Sequence, residues 1–169
     1  MNIVNVIIEN KEWETKNEIS SWIKSLDSLF ETAIKYVYNG TKSFSVNLLL
    51  TGQIEIANLN RNFRNKNEST NVLSFPQYSV DQINMINEMS SAQNIELGDI
   101  AMSFADISKE AENFRIPLCN RCTHLFIHGV LHLFGFDHII NSDQEKMENL
   151  EIHILGELGI NNPYIIEEN

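Results

Sequence analysis

Residues 117–138 read PLCNRCTHLFIHGVLHLFGFDH and hold four of the five histidines of the chain. Pro117 is suited to the first turn of a helix and Gly135 to the left-handed turn that ends one, which predicts a helix running through His132. His128 and His132 stand four residues apart, so on that helix their rings share one face, with Cβ atoms about 6 Å apart. The stretch therefore predicts two metal ligands on a single helix.

A third histidine follows the predicted helix. Because the glycine turn reverses the chain, His138 returns towards His128 and His132 as a third ligand, and the fourth tetrahedral position is left to water. We therefore predict one Zn²⁺ ion at this triad. His124 competes for the third place, but the helix separates it from His132 by about 12 Å, too far for both to bind one ion. His124 and His153 are predicted to be hydrogen-bonded core residues.

The donor set and the residue after the first ligand bear on the reaction. Three neutral imidazoles leave the charge of the metal uncompensated, which favours an anionic ligand, lowers the pKa of bound water towards about 7 and polarises a phosphoryl or carbonyl oxygen. The H-E-x-x-H motif of zinc proteases places a general base after the first histidine, where this chain has Gly129. The pattern thus favours phosphodiester hydrolysis, with a zinc peptidase as the alternative. Asp137 is interpreted either as a partner that orients His138, His132 or the water, or as a solvated turn residue.

Hydrophobic periodicity and turn residues predict the remaining elements. Alternating or β-branched runs predict strands over residues 2–8, 44–50 and 71–75, and a short strand around residues 99–102. Apolar residues at helical spacing predict helices over residues 17–37 and 53–62, from Ser103 or Asp106 to about Asn113, and from Ser142 or Asp143 to about Leu158. Ser142 and Glu145 are expected to form a capping box, and the polar segment 77–97 is expected to be a long, mobile loop with at most a frayed helical turn.

These elements describe an α+β fold, a single domain over residues 1–169 in which a small mixed sheet of about four strands packs with about five helices. The chain contains no run of the roughly 20 apolar residues that a membrane span requires, and its first residues lack a basic leader, so a cytosolic protein is expected. Cys119 and Cys122 are too few for a disulfide framework and suit a reducing compartment. Their C-x-x-C spacing follows no predicted strand and has no second ligand pair, so both are predicted to be free thiols.

Charge is distributed unevenly along the chain. The net charge of −11 argues against strong non-specific binding of nucleic acid, which depends on lysine and arginine. Residues 137–169 hold eight acids and one lysine, whereas residues 61–66, Arg-Asn-Phe-Arg-Asn-Lys, hold three bases and no acid. Because the field at a substrate is dominated by charges within about 8 to 10 Å, we predict a local cationic patch on an acidic protein.

The histidine stretch resembles a known family signature. His128 to His138 is similar to the H-G-x-L-H-L-x-G-x-D-H motif of the YbeY endoribonucleases, which act in bacterial rRNA maturation. Other blocks resemble that family in the same order, so the resemblance covers nearly the whole chain. These blocks are Leu59-Asn60-x-x-Phe63-Arg64-x-Lys66, Thr70 to Pro76, Leu97 to Ile100, His124-Leu125, Met147, Glu151, Leu155 and Asn162-Pro163-Tyr164.

The resemblance implies particular site residues. It implies a zincin-like metal helix with His128, His132 and His138 as zinc ligands, and it makes Arg64 the functional arginine. A guanidinium near the metal can hold the scissile phosphate through two parallel hydrogen bonds, although from the residues alone Arg64 is equally well a surface charge on a helix. The departures from the family pattern leave the metal site unchanged and are Phe63 for Tyr, Asn67 for Asp and Ser69 for Pro.

The resemblance also implies a biological role. The expected activity is cleavage of single-stranded RNA in maturation of the 16S rRNA 3′ end and in ribosome quality control, with small-subunit ribosomal proteins or an assembly GTPase as partners. Attack by water and attack by the RNA 2′-hydroxyl both remain open as mechanisms. A non-catalytic ribosome-assembly module with a structural zinc ion is the alternative outside enzymology.

Overall fold

A four-stranded mixed sheet organises the chain, which the computed structural model describes over residues 1–89 and 94–165. The strands are β1 (Ile3–Ile8), β2 (Ser43–Thr51), β3 (Val72–Pro76) and β4 (Asn94–Ser103). The helices are α1 (Asn17–Val37), α2 (Gln53–Arg64), α3 (Val80–Asn84), α4 (Ile86–Met89), α5 (Phe104–Phe114), α6 (Leu118–Leu133) and α7 (Asn141–Glu157), with a 3₁₀ turn at Lys11–Glu14. The α+β class predicted from the sequence is confirmed.

The sheet separates two layers of helices. Its strand order is β1-β2-β4-β3, with β1, β2 and β4 parallel and β3 an antiparallel edge strand. Leu73 of β3 packs with Ile56 of α2 on one face. The next residue, Ser74, faces the other way and approaches Gly129 of α6. Helices α2 and α6 therefore cover opposite faces, and β3 lies between them at the sheet edge.

Helix α6 lies at the centre of the core. It packs against α1, α5 and α7 and against strands β3 and β4. From Cys122 onwards every residue of α6 is buried except His128 and His132, which are half-exposed. A helix that is apolar around most of its circumference belongs in the interior of a domain. Between Cys122 and the end of α6, the two histidines are therefore the residues that solvent can reach.

The predicted loop over residues 77–97 is wrong for most of its described part. Ser79 begins α3 with a capping box, in which its hydroxyl accepts a hydrogen bond from the backbone N–H of Gln82 and its own N–H donates to the Gln82 side chain. Asn94 to Leu97 belong to β4, and residues 90–93 lie outside the described residues. Within α3 and α4, two apolar side chains are buried in the core, Ile83 and Ile86.

The last helix begins without the predicted capping box. Helix α7 starts at Asn141, and Ile140 at its N-terminal cap makes no side-chain hydrogen bond. Ser142 therefore lies inside the first turn, where its hydroxyl is not at the cap position. Helices α3 and α4 bring the described helices to seven, against about five predicted. None of the described helices combines the length with the apolar character that crossing a bilayer demands.

Candidate metal centre

The three predicted ligands come together at the C-terminal end of α6. His128 and His132 lie one turn apart, with their Nε2 atoms 3.1 Å from each other. The ring of His138 lies 5.4 Å from that of His128 and 5.1 Å from that of His132, centroid to centroid. One ligand nitrogen from each residue falls within 4.8 Å of the others. The triad can therefore hold one metal ion, as the spacing in the sequence predicted.

The turn after α6 positions His138. Gly135 has a φ of +86°, and the N–H groups of Gly135 and Phe136 donate to carbonyls in the last turn of α6 at 2.9 and 3.1 Å. This pair of bonds is a Schellman arrangement, in which glycine adopts a left-handed conformation that other residues disfavour. Asp137 then accepts a hydrogen bond from the backbone N–H of His138 at 2.7 Å. Of the two interpretations of Asp137, the structure favours the turn residue, because its carboxylate holds the loop and not a ring.

Glu151 is a buried carboxylate next to the triad. It lies on α7 with 0% of its surface exposed, and its Oε1 is 2.5 Å from Nδ1 of His128 while its Oε2 is 3.1 Å from Nε2 of His124. The hydroxyl of Tyr164, which follows α7, donates to the same Oε2. Burial alone would raise the pKa of Glu151, but hydrogen bonds from His124 and His128 outweigh it and hold that pKa at about 2. Glu151 is therefore ionised at neutral pH.

The hydrogens on the two helical rings follow from their partners. His132 Nδ1 lies 2.9 Å from the carbonyl oxygen of Phe136, and His128 Nδ1 faces the ionised Glu151. Carbonyl and carboxylate oxygens only accept, so each Nδ1 carries a ring hydrogen, and in a neutral ring Nε2 then presents a lone pair. Burial, followed by the charge of the nearby His128, lowers the pKa of His132 to about 4. That ring is therefore neutral at pH 7, the form in which imidazole binds metals.

The facing nitrogens fit a metal ion. With both rings neutral, their Nε2 atoms 3.1 Å apart cannot hydrogen-bond to each other, and a cation between them would offset the repulsion of their lone pairs. Ligands about 2.1 Å from a tetrahedral zinc ion are about 3.4 Å apart, close to the separation seen here. A cavity of about 230 Å³, lined in part by His128, His138 and Tyr164, opens beside the triad. Three imidazoles with an open side are typical of a catalytic zinc site.

Gly129 lies where α6 comes closest to the sheet. A Cβ added at this position would be 3.0 Å from Cδ1 of Ile100 and 3.2 Å from Oγ of Ser74. Because Ile100 and Ser74 are both buried, these neighbours have little room to move. The position that carries the general base in H-E-x-x-H proteases therefore points into the sheet here, and a glutamate at Gly129 would not reach the metal ligands.

Gly129→Ala and Gly156→Ala form a matched pair of substitutions. Both glycines lie inside helices, where alanine is favoured by up to about 1 kcal/mol. An added Cβ at Gly156 meets nothing within 4 Å, so Gly156→Ala is expected to raise the free energy of unfolding. At Gly129 overpacking costs about 1–3 kcal/mol, so Gly129→Ala is expected to lower the free energy of unfolding by about 1 kcal/mol. Chemical denaturation measures both changes, and an equal gain at the two positions would contradict the packing account.

Arg64 lies at the sheet edge between the two helix layers. It is the last residue of α2 and is exposed, with Nη2 3.5 Å from the backbone oxygen of Ser74. The hydroxyl of Ser74 lies 3.5 Å from the backbone oxygen of Gly129, the residue after His128. Arg64 is thus connected to α6 through β3, and its hydrogen bond goes to Ser74 and not to any of the three histidines. Within residues 1–89 and 94–165, no carboxylate lies within ion-pair distance of its guanidinium.

Comparison with known proteins assigns the chain to a family. The family model described as "Endoribonuclease YbeY" matches residues 7–159. The chain belongs to the YbeY family. Endoribonuclease YbeY of Paracoccus denitrificans is 37% identical over 169 residues, covering 98% of this chain and 91% of the relative. Endoribonuclease YbeY of Francisella tularensis subsp. novicida is 43% identical over 128 residues, covering 73% and 74% of the two chains.

A solved structure shares the fold. The solution structure of TM1509 from Thermotoga maritima superposes with a TM-score of 0.56 and covers 93% of this chain and 92% of that protein. At 23% sequence identity this likeness concerns the architecture alone. The family resemblance inferred from the histidine stretch is confirmed, and YbeY relatives carry the name of a hydrolytic nuclease.

Sequence reasoning assigned no role to two residues of this YbeY site, Glu151 and Tyr164. The signal for Glu151 was present, because Met147, Glu151 and Leu155 recur at helical spacing and all three are buried. A single acid in an apolar stripe requires hydrogen-bond donors in the core. Those donors are His128, His124 and Tyr164, which come from other segments of the chain.

The remaining titratable residues divide between confirmed and corrected predictions. His124 is buried and hydrogen-bonded, as predicted, but His153 is exposed on α7 and donates only to the backbone of its own helix, so its assignment to the core is wrong. Cys119 and Cys122 are free thiols, as predicted. Burial raises the pKa of both thiols, which disfavours the thiolate form that redox chemistry requires.

Proposed function

We propose that this protein is a zinc-dependent endoribonuclease that cuts single-stranded RNA, with one zinc ion held by His128, His132 and His138. The observation that supports the proposal most strongly is the pair of facing Nε2 atoms of His128 and His132, 3.1 Å apart, in a chain of the YbeY family. The arrangement suits a bound cation and leaves one side of the triad open. A phosphodiester is an anionic substrate and suits such a site.

The side chains around the centre have separable roles in this proposal. Glu151 and the Phe136 carbonyl fix the orientation and tautomer of His128 and His132, as acceptors behind metal-binding histidines do. A zinc ion, when bound, supplies Lewis-acid polarisation of a phosphoryl oxygen and activation of water near neutral pH. Arg64 binds the non-bridging phosphate oxygens through its guanidinium and stabilises the charge that develops on them. Water and the RNA 2′-hydroxyl both fit as nucleophile, and 2′,3′-cyclic phosphate ends would identify the second.

The biological setting is part of the same proposal. The substrate is the precursor of 16S rRNA, cut at its 3′ end during maturation and ribosome quality control in the cytoplasm, and the hydrolase domain extends over residues 1–169. The net charge of −11 makes a bare protein a poor general RNA binder. Small-subunit ribosomal proteins or an assembly GTPase therefore supply the specificity.

One experiment tests the activity. Protein of measured zinc content is incubated with single-stranded and double-stranded RNA, with and without a chelator. The expected result is cutting of the single strand alone, lost with the chelator and restored by zinc. Chelator-insensitive cutting would indicate a contaminating nuclease, cleavage of unstructured protein with RNA intact would indicate a peptidase, and zinc binding without cutting would indicate an assembly module.

Arg64→Ala is expected to slow RNA cleavage while zinc stays bound. Loss of a charged donor aimed at a developing oxyanion costs about 10²- to 10³-fold in rate, and the hydrogen bond of Arg64 goes to Ser74 and not to the triad. Single-turnover cleavage and zinc content measure the two properties separately. Lys24→Ala is the control, because Lys24 is an exposed cation on α1 and lies outside the cationic segment 61–66. Equal losses of cleavage rate in both variants would mean that Arg64 contributes only its general positive charge.

A further inference from the structure

Phe63 is an aromatic ring left in solvent beside Arg64. Its side chain is 68% exposed on the last turn of α2. The ring contacts one other ring, that of Phe75 on β3, edge to face at 5.2 Å between centroids. Phe75 is itself half-buried over the α2 layer. Phe75 therefore supports Phe63 from one side without covering it.

The other strongly exposed phenylalanine has a structural explanation that Phe63 lacks. Phe114 is 60% exposed, but the guanidinium of Arg121 lies over its ring at 5.4 Å. That arginine is in turn paired with Glu110 at 2.7 Å. Within the described part of the chain, no charged group is placed over the Phe63 ring in this way.

The surroundings of Phe63 are cationic on an otherwise acidic protein. Arg61, Arg64 and Lys66 flank it within six consecutive exposed residues that contain no acid, and none of the three pairs with a carboxylate of the described residues. The net charge of the whole chain is −11. A supported aromatic ring among unpaired cations is complementary to a strand with exposed base faces and phosphates.

We infer that Phe63, supported by Phe75, is a stacking site for an unpaired nucleobase, and that Arg61, Arg64 and Lys66 contact the adjoining phosphates. The inference rests on the proposed function and adds to it a reason for single-strand preference. In a duplex both faces of each base are covered by neighbouring bases, so only an unpaired strand can offer a face to Phe63 while its phosphates meet the cations.

The stacking site and the metal centre lie on the two sides of one edge strand. Phe75 belongs to the α2 face of β3, whereas the preceding residue, Ser74, faces α6 and contacts Gly129 beside the first metal ligand. Because no strand of the described residues pairs with the outer side of β3, an RNA strand that crosses this edge can reach both sites. Arg64, bonded to the backbone of Ser74, lies at the crossing point.

The test separates the contribution of the aromatic ring at position 63 from the contribution of an apolar side chain without a π-face. Zinc-loaded protein is titrated with a short fluorescent single-stranded RNA carrying 2′-O-methyl sugars, and a gel confirms that the strand is intact. Phe63→Leu, which keeps an apolar side chain but removes the π-face, is expected to weaken binding about 5- to 150-fold, the range found for loss of one stacked base. Phe63→Trp is expected to retain binding, with indole fluorescence quenched by the stacked base. Melting temperatures of both variants verify the fold.

Matched measurements separate the stacking site from its alternatives. Phe114→Leu is the control and is expected to bind the single strand as the unsubstituted protein does. The stacking site would be overturned if Phe63→Leu bound the single strand as tightly as the unsubstituted protein does, or if it lost affinity for duplex RNA to the same extent. Either result would count even if zinc-dependent cleavage is observed. A selective loss in Phe63→Leu, with quenching in Phe63→Trp, would support it even if the protein proved unable to cut RNA.

Discussion

His132→Ala is expected to abolish RNA cleavage and zinc binding while the domain stays folded. The substitution removes one of three ligands, and a metal ion supplies several kcal/mol of transition-state stabilisation, so cleavage should fall about 10³-fold or more. The side chain makes one hydrogen bond to the protein outside the triad, to the Phe136 carbonyl. Loss of such a bond costs about 0.5–1.5 kcal/mol, and removing His132 also relieves its close approach to His128.

Zinc content, cleavage rate and denaturant unfolding test this prediction together. Unfolding of the variant is compared with that of the metal-free unsubstituted protein, so that the stabilisation due to zinc binding is excluded. His153→Ala is the control, because His153 is exposed and its hydrogen bond goes to the backbone of its own helix and not to the triad. A variant that fails to fold, while the metal-free protein folds, would contradict a catalytic role and favour a structural metal.

Glu151→Gln is expected to weaken both the metal site and the fold, although it changes only one atom of the side chain. Three donors meet the carboxylate, from His128, His124 and Tyr164. Arg121 Nη1 lies 3.0 Å from Nδ1 of His124, and since arginine only donates, the His124 hydrogen is on Nε2 and points at Glu151. The amide NH₂ of glutamine would therefore face another donor.

The size of the effect follows from the donors left without an acceptor. Each buried unsatisfied donor costs about 1–3 kcal/mol in unfolding free energy, and loss of a carboxylate behind a metal-binding histidine typically weakens metal affinity about 10- to 100-fold. Zinc affinity is measured by chelator competition and stability by denaturation. Glu148→Gln is the matched control, since Glu148 lines the same cavity on α7 but bonds to Gln144. Equal affinity in both variants would remove Glu151 from the metal centre.

The features predicted most accurately from the sequence are those in which residues recur at a regular helical spacing. Helix α1 was predicted over residues 17–37 and spans Asn17–Val37, because a repeating apolar stripe along 21 residues specifies a face whatever it packs against. The triad was predictable for a related reason. A helical spacing of four residues and a glycine turn restrict the rings to a small volume, so local geometry is nearly sufficient.

Predictions failed where a few tertiary contacts outweigh local composition. The segment containing α3 and α4 is polar overall, yet burial of Ile83 and Ile86 and one capping box suffice to order it. Ser142 has a capping-box sequence, but α7 begins one residue earlier and leaves the hydroxyl inside the first turn. The spacing of apolar residues does not distinguish between two neighbouring positions for the first residue of a helix. Contacts with the neighbouring helices decide between them.

The sequence by itself determined the histidine triad that can hold a metal ion, the α+β class and the cationic segment before β3, since each depends on the spacing of residues close together in the chain. Only the tertiary structure decided that Glu151 lies behind His128, that Gly129 leaves no room for a general base, and that Phe63 stays in solvent. Those outcomes depend on contacts between α6, α7 and β3. Burial of apolar surface brings these elements together, and because this effect is non-directional, the spacing of neighbouring residues does not predict which elements meet.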